Sequence, residues 1–182
     1  MHRVLVKNFN CLVPKHGITY FLGDMGLYSN GVLNKVIRQL NGLKILVRGN
    51  HDGNMNTMYN AGFDVVTDKA QITIGKHIVT MTHCPLKGVF REDTTNMFGA
   101  TPGENWHKEN KYKDRFSIED FGQYHLHGHT HCQLAVNGKK VIDGRQFDVG
   151  VPGNNYFPVT LSQVESFIFN HQKEKNESSK NK

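Results

Sequence analysis

The sequence predicts a layered α/β domain, and three observations carry that reading. Short apolar runs at 18–22, 45–47, 77–82 and 124–127 each stop abruptly at glycine or polar residues, as buried strands do. Between the first of them lie segments of helical period: residues 31–41 place apolar side chains at 32, 33, 36, 37 and 40. At 182 residues and 37% hydrophobic content, the chain is long enough for one domain with a sizeable core.

Taken in order, residues 3–12 fit a short amphipathic helix that stops near Pro14. The strand 18–22 leads into Gly23-Asp24. Asn30 is placed to cap the helix 31–41, which Gly42 ends. The strand 43–48 runs into Gly49-Asn50-His51-Asp52. A short helix near 54–60 closes at Gly62, and 63–66 forms a short strand. Residues 70–74 and 77–82 make a hairpin about Gly75-Lys76, the second arm delivering His83. The stretch 84–119 is polar and reads as a long loop, a substrate wall or a mobile lid carrying Arg91, Trp106, His107 and Lys108. The strand 124–127 leads into Gly128-His129-Thr130-His131. A second hairpin, 134–136 with 140–142, turns at Asn137-Gly138, and 147–151 is a further strand. Thr160 with Gln163 three residues on forms a capping-box pattern for a last helix reaching about His171. One domain therefore spans 1–172. The remainder, 173–182, is charged, lacks apolar residues and reads as a disordered tail.

Composition narrows the function. The formal net charge is +6, of which the tail supplies a third, and the excess on the body suits anionic substrates. No basic helix or clustered aromatic face argues for nucleic-acid binding as the main activity. No run approaches the ~20 apolar residues of a membrane helix. Three unpatterned cysteines and the absence of a signal-peptide pattern at the start suit a reducing cytoplasm.

The polar residues at the strand ends form a ligand set. Asp24 offers a carboxylate, Asn50 a neutral carbonyl oxygen, and His83, His129 and His131 offer imidazoles. Mixed oxygen and nitrogen donors suit manganese first, with iron, zinc and nickel also compatible. A carboxylate shared between two divalent ions holds them ~3.5–4 Å apart, clamps a phosphate and acidifies a bridging water for in-line attack. His51, next to Asn50, is placed to protonate the leaving alkoxide, with Asp52 orienting it. Blander roles fit other residues. His125 and His127 alternate with Leu126 and read as facing a sheet surface. His2, His16, His77, His107 and His171 read as solvated. Cys84 and Cys132 read as small buried residues, and Arg48 as the partner of a nearby carboxylate.

These four motifs, in this order and at strand ends, resemble the calcineurin-like metallophosphoesterases. The ending, Asp148 to Val151 and Asn155 to Val159, resembles their small phage and bacterial members. The resemblance covers residues 3–170 and implies two mixed β-sheets packed as a sandwich flanked by helices. It implies Asp24 as the bridging ligand, Asn50, His83 and His129 on one metal, and His131 on the other. It implies a hydrolase of phosphoric monoesters or diesters, acting on a small phosphorylated substrate or a nucleotide or nucleic-acid ester, in the cytoplasm (of the host, if phage-encoded). The family opens with a strand ending in Asp-x-His, and no such tripeptide precedes Asp24. The expectation is an N-terminal truncation of about 30 residues, a strand and a helix, that leaves one metal site incomplete. The alternative is a catalytically impaired fragment that binds metal and serves as a binding module.

Overall fold

The computed structural model of the chain describes residues 2–25, 30–86, 115–129, 135–136, 139–140 and 144–180. It has the expected α/β architecture of two sheets with helices. Helix α1 (His2–Leu12) buries Phe9, whose ring stacks on Phe21 at 5.6 Å. Strand β1 (Ile18–Phe21) is followed by α2 (Asn30–Ile37), β2 (Leu43–Val47), α3 (Met55–Ala61) and β3 (Val65–Thr67). Parallel strands need a crossover between them, and α2 and α3 supply it. The result is a three-stranded parallel sheet in the order β1-β2-β3, with β1 at its edge.

The second sheet is mixed. Strands β4 (Ala70–Ile74) and β5 (His77–Met81) form the hairpin read from Gly75-Lys76, and β6 (Tyr124–His127) joins β5 in parallel. A two-stranded ribbon, β7 (Ala135–Val136) and β8 (Lys139–Lys140), stands apart, and β9 (Gln146–Asp148) closes the sheet against β6. Helix α4 (Leu161–Lys180) follows. Leu22 and Val47 from the first sheet cluster with Val79, Met81, Tyr124 and Leu126 from the second and with Val164 and Ile168 of α4. The two sheets therefore share one apolar layer, the arrangement of a sandwich. A second cluster, Leu33, Ile37, Leu46, Met58 and Phe63, fixes α2 and α3 to the first sheet.

Local chemistry accounts for the helix ends. Asn54 caps α3 by accepting from Thr57 N at 2.9 Å, and Gly62 at φ 109° ends it in the left-handed region that side chains avoid. At α4, Thr160 N donates to Gln163 Oε1 at 2.8 Å while Gln163 N donates to Thr160 Oγ1 at 3.3 Å, the reciprocal bonds of a capping box.

Several expectations need correction. The first sheet is wholly parallel rather than mixed. Helix α2 begins at Asn30 itself and ends at Ile37, where i→i+3 bonds such as Leu40 N to Ile37 O tighten the chain ahead of Gly42. The segment 173–182, expected to be disordered, continues α4 as far as Lys180; Lys and Glu are good helix formers and need no apolar contact to extend an existing helix. His77 and His171 are half-buried rather than solvated: Tyr124 Oη lies 3.0 Å from His171 Nδ1, and Gln172 Nε2 donates to His77 Nε2 at 2.7 Å. Most of the expected loop 84–119 lies outside the described residues, as does the turn at Asn137-Gly138.

Candidate metal centre

The centre is built where the C-terminal ends of β1, β2, β5 and β6 meet, the edge at which layered α/β folds gather ligands. After β1 the chain turns through Gly23 at φ 91° and Asp24 at φ 60°. After β2 it turns at Gly49. The two turns are nested so closely that side chains are excluded. A Cβ on Gly23 would lie 2.5 Å from His83 Nδ1 and 2.6 Å from Gly49 N; one on Gly49 would lie 2.5 Å from Asp24 Oδ1. Asp52 Oδ2 holds both, accepting from Gly49 N at 2.7 Å and Asp24 N at 2.9 Å. Arg48 is buried and pairs with Asp68 at 2.6 Å, as its position before the turn suggested.

His83 stands at the end of β5 and is 1% exposed. Its Nδ1 lies 2.7 Å from Leu22 O. A carbonyl only accepts, so Nδ1 carries the proton and the Nε2 lone pair is turned into the site. Nε2 lies 3.3 Å from Asp24 Oδ1 and 3.1 Å from His129 Nδ1. His129 adopts φ 63° at the turn after β6. Burial opposes the charged form of His83, but the hydrogen bond and charge of Asp24 more than offset it and hold the His83 pKa above its ordinary value. Burial likewise works against the Asp24 carboxylate, yet His83 and the His51 N–H, 3.2 Å from Asp24 Oδ1, keep its pKa below the usual range.

A lone pair facing a carboxylate oxygen needs a cation between them, a proton or a metal ion. Two donors about 2.1 Å from one ion stand about 3.0–3.4 Å apart, from the cis octahedral angle to the tetrahedral one. The separations of 3.1 and 3.3 Å fall in that range. The grip of a backbone carbonyl on Nδ1 is also the usual way in which a metal-binding imidazole is oriented. The residues present fit a divalent ion.

Of the residues read from the sequence, Asp24, His83 and His129 are brought together by these distances. Asn50 and His51 are exposed on the adjoining turn, His51 fixed there by its N–H to Asp24. Asp52, expected to orient His51, accepts with its Oδ2 from the two turn amides. His131 lies outside the described residues. Cys84, read as a small buried residue, is buried at 2%, and it also stands with His83 and His129 in a group whose ligand atoms all lie within 4.8 Å of one another. Its place directly after Thr82-His83 at a strand end was the available signal. A cavity of about 760 Å³ between the sheets, walled by Phe9, Tyr20, Met81 and Leu126, opens onto Asp24, His83 and His129.

His125 and His127 correct another expectation. Both are fully buried, because β6 is an inner strand with both faces covered. The ring of His125 lies among Thr80 Oγ1 at 2.9 Å, Thr82 Oγ1 at 3.1 Å and Cys84 O at 3.2 Å, and burial pushes its pKa down to about 4.

No helix among the described residues is long and apolar enough to cross a membrane. No family model matches the chain. A stretch of 54 residues is 41% identical to an uncharacterized protein of Methanocaldococcus jannaschii, covering 29% of this chain and only 31% of that protein's length. The chain also resembles, at TM-score 0.61 and 21% identity over 91% of its own length and 83% of the other, the crystal structure of a protein of unknown function from Aquifex aeolicus. At that identity the likeness shows the fold alone.

Proposed function

We propose that the protein hydrolyses phosphoric esters with the help of two divalent metal ions, as a relative of the calcineurin-like phosphoesterases. The observation that carries this is that Asp24 Oδ1 and His129 Nδ1 each lie at a coordinating separation from His83 Nε2. Asp24, Asn50, His83 and His129 would hold one ion, and Asp24 with His131 the other. Bound ions supply Lewis-acid stabilisation of the phosphoryl oxygens and an acidified water as nucleophile. The chain supplies the rest. The nested glycine turns keep side chains out of the space around Asp24. His51, exposed beside Asp24, gives its proton to the departing alkoxide. Manganese is the first ion to try. Cys84 makes zinc the second, since a thiolate favours the softer ion.

The test is metal stoichiometry paired with turnover. The purified chain should carry about two ions and cleave bis-p-nitrophenyl phosphate or p-nitrophenyl phosphate with Mn²⁺ present. His51→Gln should keep its metal and lose turnover by about 10²–10⁴-fold; loss of metal instead would remove His51 from the acid role. The described His83, Cys84 and His129, whose ligand atoms all lie within 4.8 Å of one another, could hold one ion by themselves, and this favours the second reading of a metal-binding module without hydrolysis. One ion per chain and no turnover would select it.

A further inference from the structure

We propose that His127 is a positioning residue that sets the orientation of His129 through the intervening peptide of Gly128. The inference rests on the metal reading of the site and assigns a residue outside the ligand set.

His127 Nδ1 lies 2.9 Å from Gly128 O. The carbonyl can only accept, so Nδ1 carries the proton and donates. The same glycine donates its own N–H to His83 O at 3.0 Å. Gly128 is thus pinned at both ends, its amide to the strand end bearing His83 and its carbonyl to His127. Rotation about the bonds flanking the 128–129 peptide is what would swing the His129 ring. His129 also sits at φ 63°, a conformation that most residues leave when nothing holds them there. Holding the Gly128 carbonyl supplies that restraint and keeps His129 Nδ1 3.1 Å from His83 Nε2.

The rest of the ring fits this role. His127 is fully buried and stacks on His125 at 5.9 Å and 16°. Its Nε2 has no hydrogen-bond partner among the described residues. A residue present only to fill space would be phenylalanine or leucine, which strand no buried nitrogen; the uncompensated Nε2 is tolerable when Nδ1–H has a task.

Three variants of the full chain separate positioning from packing. Asparagine carries its amide nitrogen at the place of Nδ1, glutamine carries it one bond further out, and phenylalanine keeps the ring without a donor. Affinity for Co²⁺ is measured by calorimetry, and the visible Co²⁺ absorption reports ligand geometry. His127→Gln and His127→Phe should bind Co²⁺ about 10–100-fold more weakly than the parent, with an altered spectrum, while His127→Asn stays near the parent. Equal affinity in the Asn and Gln variants, or parental affinity in His127→Phe, overturns the proposal. So does a fall in melting temperature in all three with affinity unchanged, the outcome of a packing role. A parent chain that binds no Co²⁺ would overturn the metal reading itself, and His127 with it.

Discussion

His83 and His125 lie on neighbouring strands and are hidden to nearly the same degree, 1% and 0% exposed, yet their protonation equilibria move apart. His125 is ringed by hydroxyls and a carbonyl and is driven to about 4. His83 is gripped by one carbonyl on Nδ1 and faced on Nε2 by Asp24, and it is driven upward. Burial alone makes an imidazole a neutral core residue. A carboxylate set against the free nitrogen makes a place for a cation. The two environments differ chiefly by the turn that carries Asp24, and that turn exists because Gly23 and Gly49 admit one another.

The largest expected effect comes from removing that carboxylate. Asp24→Ala should weaken Mn²⁺ affinity by at least about a hundredfold and, if the proposed hydrolysis holds, abolish cleavage of the p-nitrophenyl phosphate esters. In the metal-free variant the His83 imidazole signal should titrate at lower pH, toward the behaviour of His125. Unchanged His83 titration by NMR would break the comparison. Gly23→Ala tests the space: with φ at 91° and the new methyl against His83 Nδ1 and Gly49 N, it should cost about 2–3 kcal/mol in urea unfolding.

Acid provides the third test. The native state refuses His125 its proton until about pH 4, whereas the unfolded chain takes one up near 6.5. His125 therefore contributes stability that is present above 6.5 and lost as pH falls toward 4, by up to about 1.4 kcal/mol per pH unit. Asp24, with its lowered pKa, contributes stability that is full above 3.8 and lost as pH falls through its folded value. His83 works the other way in metal-free protein: its contribution is full below 6.5 and lost as pH rises through its raised value. Melting curves of the metal-free chain across pH 4–9 should fall on both sides. His125→Gln should flatten the acid side, and Asp24→Asn the alkaline one. The smallest effect belongs to Thr80→Val, which removes the hydroxyl beside His125 Nδ1 and should cost about 1 kcal/mol by thermal melting.

Much of this was legible in the residues. The hairpin about Gly75-Lys76, the stop of α3 at Gly62 and the capping box at Thr160 follow from local turn and cap chemistry, and each holds in the fold. Asp24, His83 and His129 were readable as strand-end groups because an apolar run stops just before each. Three things were not readable. His125 and His127 alternate with Leu126, as on a half-exposed strand, and only sheet order reveals that β6 is interior. That Asp52 Oδ2 also gathers the amides of Gly49 and Asp24 was hidden, because sequence adjacency says nothing of a group brought in from the turn after β1. The end of α4 carries no apolar stripe, so periodicity could not distinguish an extended helix from a loose tail.

The single oxygen of Asp52 that serves both Gly49 and Asp24 has a further consequence. Two loops some 25 residues apart in sequence share one acceptor, so loosening either releases the other. Damage at Gly23 and at Gly49 should accordingly overlap rather than accumulate: the double substitution should cost clearly less than the two single ones added together. The pocket behaves as one knot with two strands through it, and either strand can undo it.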